Sequence, residues 1–341
     1  EAALYVMVND YLKKDIIYAI PSSNRTLITV VIRKLLASSS HAVAATFEVL
    51  KDRLITLKES TRLESVEKGL DYFFDFLDDD YEEDDKNTSN HSELYDRERV
   101  NEFIQHEIDE VENIIKLATS ISANEKAKAL LKAITIAFNK QKESGINEKV
   151  VVFTESVRTQ EFLYKELTNK GYAGEVLLFN GNPSDKTTSE IYRAWKAKNF
   201  GKTLASRNVE IKHAIVDYFK NNCKILLVTD AGSEGLNLQF CNSVINYDLP
   251  WNPQKIEQRI GRCHRYGQMN DTIVINLLNT ENIADRRVYE ILSEKFELFE
   301  GVFGASDQAL GLLESGIDFE KRVLMIYQKC NSIGEFNKEF K

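Results

Sequence analysis

Lys224–Asn237 reads KILLVTDAGSEGLN. Four apolar residues, Ile225–Val228, run without a polar break and then give way to Thr229, Asp230 and a turn spaced by Gly232 and Gly235. A short continuous apolar run is what a strand buried on both faces requires, and such strands belong to parallel sheets covered by helices. The same text recurs on either side. Upstream stand KVVVFT (149–154) and VLLF (176–179), and downstream SVINY (243–247) and TIVINLL (272–278). Between them lie helical patterns over Val157–Lys170, ended by Gly171, and over 188–198 and 208–220, with a further helix opening at Asn252-Pro253. Strands alternating with helices predict a three-layer α/β domain over about 149–285, its central sheet mainly parallel.

The flanks read differently. Residues 1–62 contain one proline and no glycine, and Val31, Leu35, Val43, Phe47 and Leu50 recur at helical steps. Residues 63–122 are charged and hold DYFFDFLDDDYEEDD (71–85), nine of whose fifteen residues are acidic. That run is read as a solvated loop between helices, with a partner-binding or DNA-mimicking tract as the alternative. After Ala284, Val288, Ile291, Leu292, Phe296 and Phe299 form one stripe, a core-packing helical face. The predicted organisation is a helical region over 1–148 with an acidic insertion at about 63–122, the α/β domain over 149–285, and a helical brace over 286–341.

Charge needs the same local reading. The 341 residues carry net −9, yet the acidic run supplies all of it. Residues 149–280 hold 17 basic and 13 acidic side chains, so an acidic chain does not argue against a polyanionic partner for this part. The four cysteines lie far apart with no metal-ligand spacing, which predicts reduced thiols in a cytoplasmic setting and no metal centre. No stretch approaches the roughly 18–20 apolar residues a bilayer-spanning helix needs, so no membrane partner is expected. The opening Glu-Ala-Ala-Leu, without Met or an apolar leader, reads as the start of a fragment.

Function in an open α/β sheet gathers at the carboxyl ends of its strands. Glycines at 232 and 235 would let backbone N–H groups approach a phosphate. Asn252 is a good N-cap and Pro253 a good first helical residue. The helix they open reads IEQRIGRCHRYGQ, in which Arg259, Arg262 and Arg265 stand three apart and Ile256 and Ile260 can anchor the opposite face. Three guanidiniums on one face repel one another unless an anion sits there. Phosphate fits, because guanidinium is permanently charged and matches its oxygens in pairs. A surface row paired with nearby carboxylates explains the arginines alone equally well.

Taken together, KVVVFTES, TDAGSEGLNLQ, DLPWNPQ and QRIGRCHRYGQ resemble motifs IV, V, a following coupling motif and VI of the second RecA-like lobe of superfamily 2 helicases. The ending HRYGQ is most similar to the Swi/Snf-type DNA translocases, the group that includes the bacterial RNA-polymerase-recycling ATPase. The resemblance implies ATP with Mg²⁺, bound mainly by a first lobe, and nucleic acid, as double-stranded DNA. It implies Arg262 and Arg265 as fingers on the γ-phosphate, with Gln258 and Arg259 orienting their helix at the nucleotide cleft. Gly235 would offer its N–H near the γ-phosphate. Asn237 stands where relatives often carry a ribose-binding Asp. Thr154, Ser156, Asn180, Gly181 and Thr229 would line the nucleic-acid track, and Trp251 would couple that track to the cleft or simply pack between lobes.

A first lobe should supply a phosphate-binding loop and an acidic box. Gly201-Lys202-Thr203 imitates the loop's end, but the glycine required five residues earlier is Lys196, and IYRAWKAK reads as helix. Asp109-Glu110 follows FIQHEI, which is no apolar strand. The expectation is half of a motor, inactive in ATP hydrolysis by itself. Two alternatives stand beside it: a non-hydrolysing lobe that binds nucleic acid or a partner ATPase, and half of a strand-separating DNA or RNA helicase.

Overall fold

The computed structural model describes residues 1–21, 25–59, 97–121, 124–199, 206–264, 268, 270–279 and 289. The acidic run, Arg265 and, apart from Tyr289, the 286–341 brace lie outside the described residues. The chain divides into two compact units, Glu1–Asn124 and Glu125–Lys341.

The described residues of the first unit form helices α1 (Ala2–Leu12), α2 (Arg25–Ser38), α3 (Ser40–Glu59) and α4 (Arg97–Ser120). The residues expected at helical steps, Val31, Leu35, Val43, Phe47 and Leu50, are all buried in its core. Ser39 separates α2 from α3, its hydroxyl accepting the N–H of Ala42 at 3.1 Å. Glu107 is buried on α4, where it accepts hydrogen bonds from the Tyr11 hydroxyl (2.7 Å) and the N–H groups of Tyr18 and Ala19. Asp109 and Glu110 belong to the same helix, and Glu110 pairs with Lys14.

Among the described residues the second unit holds a five-stranded parallel sheet in the order β2-β3-β1-β4-β5. Its strands are β1 (Val150–Phe153), β2 (Val176–Phe179), β3 (Ile225–Val228), β4 (Ser243–Asn246) and β5 (Ile273–Asn276). β1 lies in the middle, pairing Val150 with Ile225 on one side and Val151 with Val244 on the other. Alternate residues along each strand serve opposite faces. Val151, Phe153, Leu226 and Val228 pack with helices α7 (Lys186–Lys198) and α8 (Arg207–Asn222). Val150, Val152, Ile225 and Leu227 pack with α5 (Glu125–Glu143) and α6 (Val157–Leu167). This is the expected three-layer α/β arrangement around a parallel sheet.

One boundary shifts. Helix α5 precedes residue 149, yet Ala127, Leu130, Ala133, Ile134 and Phe138 are buried on the sheet, so the second unit begins at Glu125. A parallel sheet needs both faces covered, and α5 supplies part of one. Lys196 lies within α7, so the Gly201-Lys202-Thr203 stretch follows a helix rather than a strand.

Candidate functional site

The strand ends gather three loops at the carboxyl edge of the sheet. The loop after β1 carries Thr154 and Ser156, both expected to hold nucleic-acid phosphates. The structure corrects this, because both side chains are buried and already engaged. Thr154 donates its hydroxyl to Asp248 Oδ2 at 2.6 Å, and Ser156 caps α6 by accepting the Thr159 N–H at 3.2 Å. Small hydroxyl residues at helix starts are consumed by the helix's orphan N–H groups. After β2, Asn180 is half-buried and its side chain accepts the N–H of Asn182 at 3.0 Å, while Gly181 is exposed.

After β3 comes a one-turn helix, α9 (Asp230–Ser233), capped by Thr229, whose hydroxyl oxygen accepts the Gly232 N–H at 3.2 Å. Thr229 is thereby buried and bonded inward rather than offered to a phosphate. The reason for Gly232 is likewise corrected. A Cβ there would lie 2.6 Å from the Phe179 carbonyl oxygen, so this glycine lets the α9 turn press against the end of β2. Gly235 keeps the expected character: it is exposed, at φ +69°. The amine of Lys212, which sequence reasoning missed, stands 3.5 Å from where a Cβ at 235 would be. Asn237 is exposed beyond it.

Helix α10 (Pro253–Cys263) crosses this edge, capped by the Asn252 side chain on the Gln254 N–H at 2.9 Å. Its arginines do not share one outward face. Ile256 and Cys263 are buried, and Arg259 is turned inward with them at 1% exposure. Its Nε and Nη2 each reach a carboxylate oxygen of Asp230 at 2.6 Å, and its Nη1 donates to Asn246 Oδ1 (3.1 Å) and the Asp248 carbonyl (2.8 Å). Burial alone would lower its pKa, but the Asp230 carboxylate outweighs that and holds the guanidinium charged, above its ordinary value. A nucleotide therefore has no access to Arg259. Gln258, on the outer side, is exposed.

Arg262 contrasts with its neighbour. It is half-buried, and its Nε is buried without a hydrogen-bond partner among the described residues. Its carbonyl accepts the Leu238 N–H at 3.0 Å, which straps the Gly235–Asn237 turn to the end of α10. Gln268 reinforces the strap by donating to the Gln239 carbonyl at 2.8 Å. Trp251 is 2% exposed, enclosed within the lobe. Asp248 was also missed. Its position at the head of DLPWNPQ was the available signal, since a carboxylate just past a buried strand needs partners. It has them: Thr154, the Glu155 N–H (3.1 Å) and Lys126 (3.2 Å).

Among the described residues no group of three or more His, Cys, Asp or Glu is placed to hold a metal ion, and no helix is long and apolar enough to cross a membrane. Cys263 is buried against Cys241; the hydrogen bond between the two thiols and burial raise its pKa well above the ordinary thiol value.

Parts of the chain are similar to known proteins. Residues 201–267 match the helicase conserved C-terminal domain. An uncharacterized ATP-dependent helicase of Bacillus subtilis, YqhH, is 37% identical over 165 residues, 48% of this chain and 25% of its own length. Protein CHROMATIN REMODELING 19 of Arabidopsis thaliana is 32% identical over 50% of the chain and 21% of that protein. The RNA polymerase-associated protein RapA of Serratia proteamaculans is 41% identical over 24% of the chain and 8% of that protein. The chain thus spans a quarter or less of the length of these relatives. Over this stretch the chain is similar to the C-terminal domain of ATP-dependent helicases and chromatin-remodelling proteins.

Proposed function

We propose that this helicase C-terminal domain is the second lobe of an ATP-driven double-stranded DNA translocase, and that Arg262 and Arg265 are its arginine fingers. The observation that carries the reading is the contrast within α10. Arg259 is bonded at all three nitrogens, whereas Arg262, three residues on, keeps a buried Nε with no partner among the described residues, beside the exposed turn of Gly235 and Asn237. An unpartnered buried guanidinium nitrogen is costly, and an anion at the exposed turn beside it would relieve that cost. The γ-phosphate of ATP held by a first lobe supplies one.

In this reading the chain contributes three things. Arg262 and Arg265 place positive charge where negative charge spreads over the transferring phosphoryl group. The N–H of Gly235 and the side chain of Asn237 offer hydrogen bonds to phosphate and ribose, with the Lys212 amine close by. Arg259 holds the helix and stays out of reach of the nucleotide. Mg²⁺ and the cradle for the β- and γ-phosphates belong to the first lobe. The polar loop at Asn180-Gly181 is the part of the nucleic-acid track that remains accessible.

The test is steady-state ATPase of the full-length protein that contains this chain, with Arg262→Ala beside wild type. The expected loss in kcat is about 10³-fold or more, the scale of finger arginines in other NTPases. Wild-type turnover by the variant would leave the chain as a nucleic-acid- or partner-binding lobe. Triplex displacement without strand displacement is expected of a duplex translocase, and the reverse would identify a strand-separating helicase.

A further inference from the structure

The basic excess of the α/β domain is not spread over its surface. Helices α7 and α8 together hold seven basic and three acidic residues, and the rest of 149–280 holds ten of each, so the two helices carry the whole excess. Two of their three carboxylates are engaged inside the pair. Glu210 is buried, where it accepts from the Tyr192 hydroxyl at 2.7 Å and from the Lys196 amine. Asp217 accepts the Trp195 indole N–H at 2.7 Å. The third, Glu190, is exposed. Asp185, beside Lys186, caps α7 by accepting the Thr188 N–H at 3.0 Å.

Helical spacing sets the cations of α7 on one flank. Thr188 and Ile191 are buried and Trp195 packs on the sheet core, which fixes the inner face. Lys186, Arg193 and Lys196 stand seven and three residues apart, so they lie above one another beside that face. Arg207, the first residue of α8, stands 5.7 Å from the Tyr192 ring centroid and continues the row onto the second helix. Lys186, Arg193 and Arg207 are exposed and have no ion pair among the described residues. The exposed stretch 181–185 leads from the end of β2 straight into α7. Helix α7 precedes residues 201–267, so the match to the helicase C-terminal domain gives it no task.

We propose that this flank of α7, with Arg207, is a second DNA contact that binds backbone phosphates of a duplex continuing past the Asn180-Gly181 loop, a role that rests on the duplex reading given under Proposed function. Elsewhere in 149–280 the two signs balance, as solubility alone requires. Gathered cations repel one another unless an anion joins them. Lys186 and Arg193 are about 10 Å apart along the helix axis, a spacing that a chain of phosphates meets in succession. The Tyr192 ring holds the Arg207 guanidinium at the end of the row and leaves its charge available to phosphate. Such contacts add affinity without reading bases.

The experiment titrates the full-length protein onto a fluorescent duplex of arbitrary sequence across a salt series. Wild type is compared with Lys186→Gln/Arg193→Gln and with Lys165→Gln/Lys170→Gln. The second pair makes the same charge change at exposed residues of α6 and the turn after it, on the other face of the sheet. Each phosphate contact contributes about 0.9 to the slope of log affinity against log salt, so the α7 double variant should lower that slope by about 2. Its affinity at a salt concentration of about 0.1 M should fall about tenfold or more. Lys186→Arg/Arg193→Lys, which keeps both charges, should bind as wild type does. The Lys165/Lys170 control should change neither slope nor affinity, and ATPase without DNA should stay at the wild-type rate throughout. Unchanged slope and affinity in the α7 variant overturn the proposal. An equal fall in the control overturns it too, since bulk charge would then be the cause. A wild-type protein that binds no duplex DNA would instead sink the duplex reading, and this contact with it.

Discussion

Arginines three residues apart in one helix serve opposite purposes here, and unfolding measurements can tell them apart. Removing Arg259 strands Asp230, Asn246 and the Asp248 carbonyl at once. Arg259→Leu should cost about 3 kcal/mol in urea unfolding, the low end of the range for a broken buried pair, because the Asp230 side chain keeps 24% exposure. Arg259→Lys should recover little, since one ammonium cannot replace a planar fork. Arg262→Ala should change stability by less than about 1 kcal/mol, as its Nε gives up no bond among the described residues. A large loss of stability in Arg262→Ala would mean that it is structural after all. The thiols give a pH signature. Burial raises the Cys223 pKa, and the Cys241 hydrogen bond and burial raise that of Cys263. Their contribution to stability is therefore complete below the unfolded thiol value of about 8.5 and declines as pH rises above it. Wild type should lose stability relative to Cys263→Ala between about pH 8 and pH 10, measured as the shift in urea midpoint.

Two glycines differ at the level of elements, although each lies in a motif of the same site. At Gly232 a Cβ would meet backbone at 2.6 Å on the neighbouring strand end, and backbone cannot rotate away. Gly232→Ala should therefore cost about 1–3 kcal/mol as an overpacked contact. At Gly261, inside α10, a Cβ meets nothing within 4 Å among the described residues. Gly261→Ala should stabilise the chain by up to about 1 kcal/mol through helix propensity. Thermal unfolding of the two variants beside wild type checks both signs. The elements themselves were legible in the sequence. All five strands stand where short, largely apolar runs predicted them, most plainly β1, β2 and β3, which carry no polar residue because a strand covered on both faces needs no polar alternation. The role of α5 was not legible, since an apolar stripe says that a helix packs but not onto what.

For the whole molecule, the motor reading makes the chain one side of a cleft. The purified 341-residue chain should show no ATP turnover above background, whereas duplex DNA binding should persist without sequence preference. That binding should weaken linearly in log affinity against log salt, because phosphate contacts release counterions. Robust turnover by the chain, or salt-independent binding, would contradict the assignment. The local excess of basic over acidic residues in 149–280 is what makes DNA binding compatible with a net charge of −9.

The sequence by itself determined the parallel sheet, the helices that cover it and the motifs at its strand ends. Periodicity and turn chemistry are local properties, written in consecutive residues. Which polar side chains face a ligand and which serve the fold was decided only by tertiary structure. Thr154, Ser156, Thr229 and Arg259 looked like ligand-binding groups at their positions in the chain. Folding buries them and pairs them with Asp248, Asp230 and the helix caps, partners up to 94 residues away. A buried polar group must be bonded: Ser156 and Thr229 find partners three residues on as helix caps, whereas Thr154 and Arg259 find theirs only through folding.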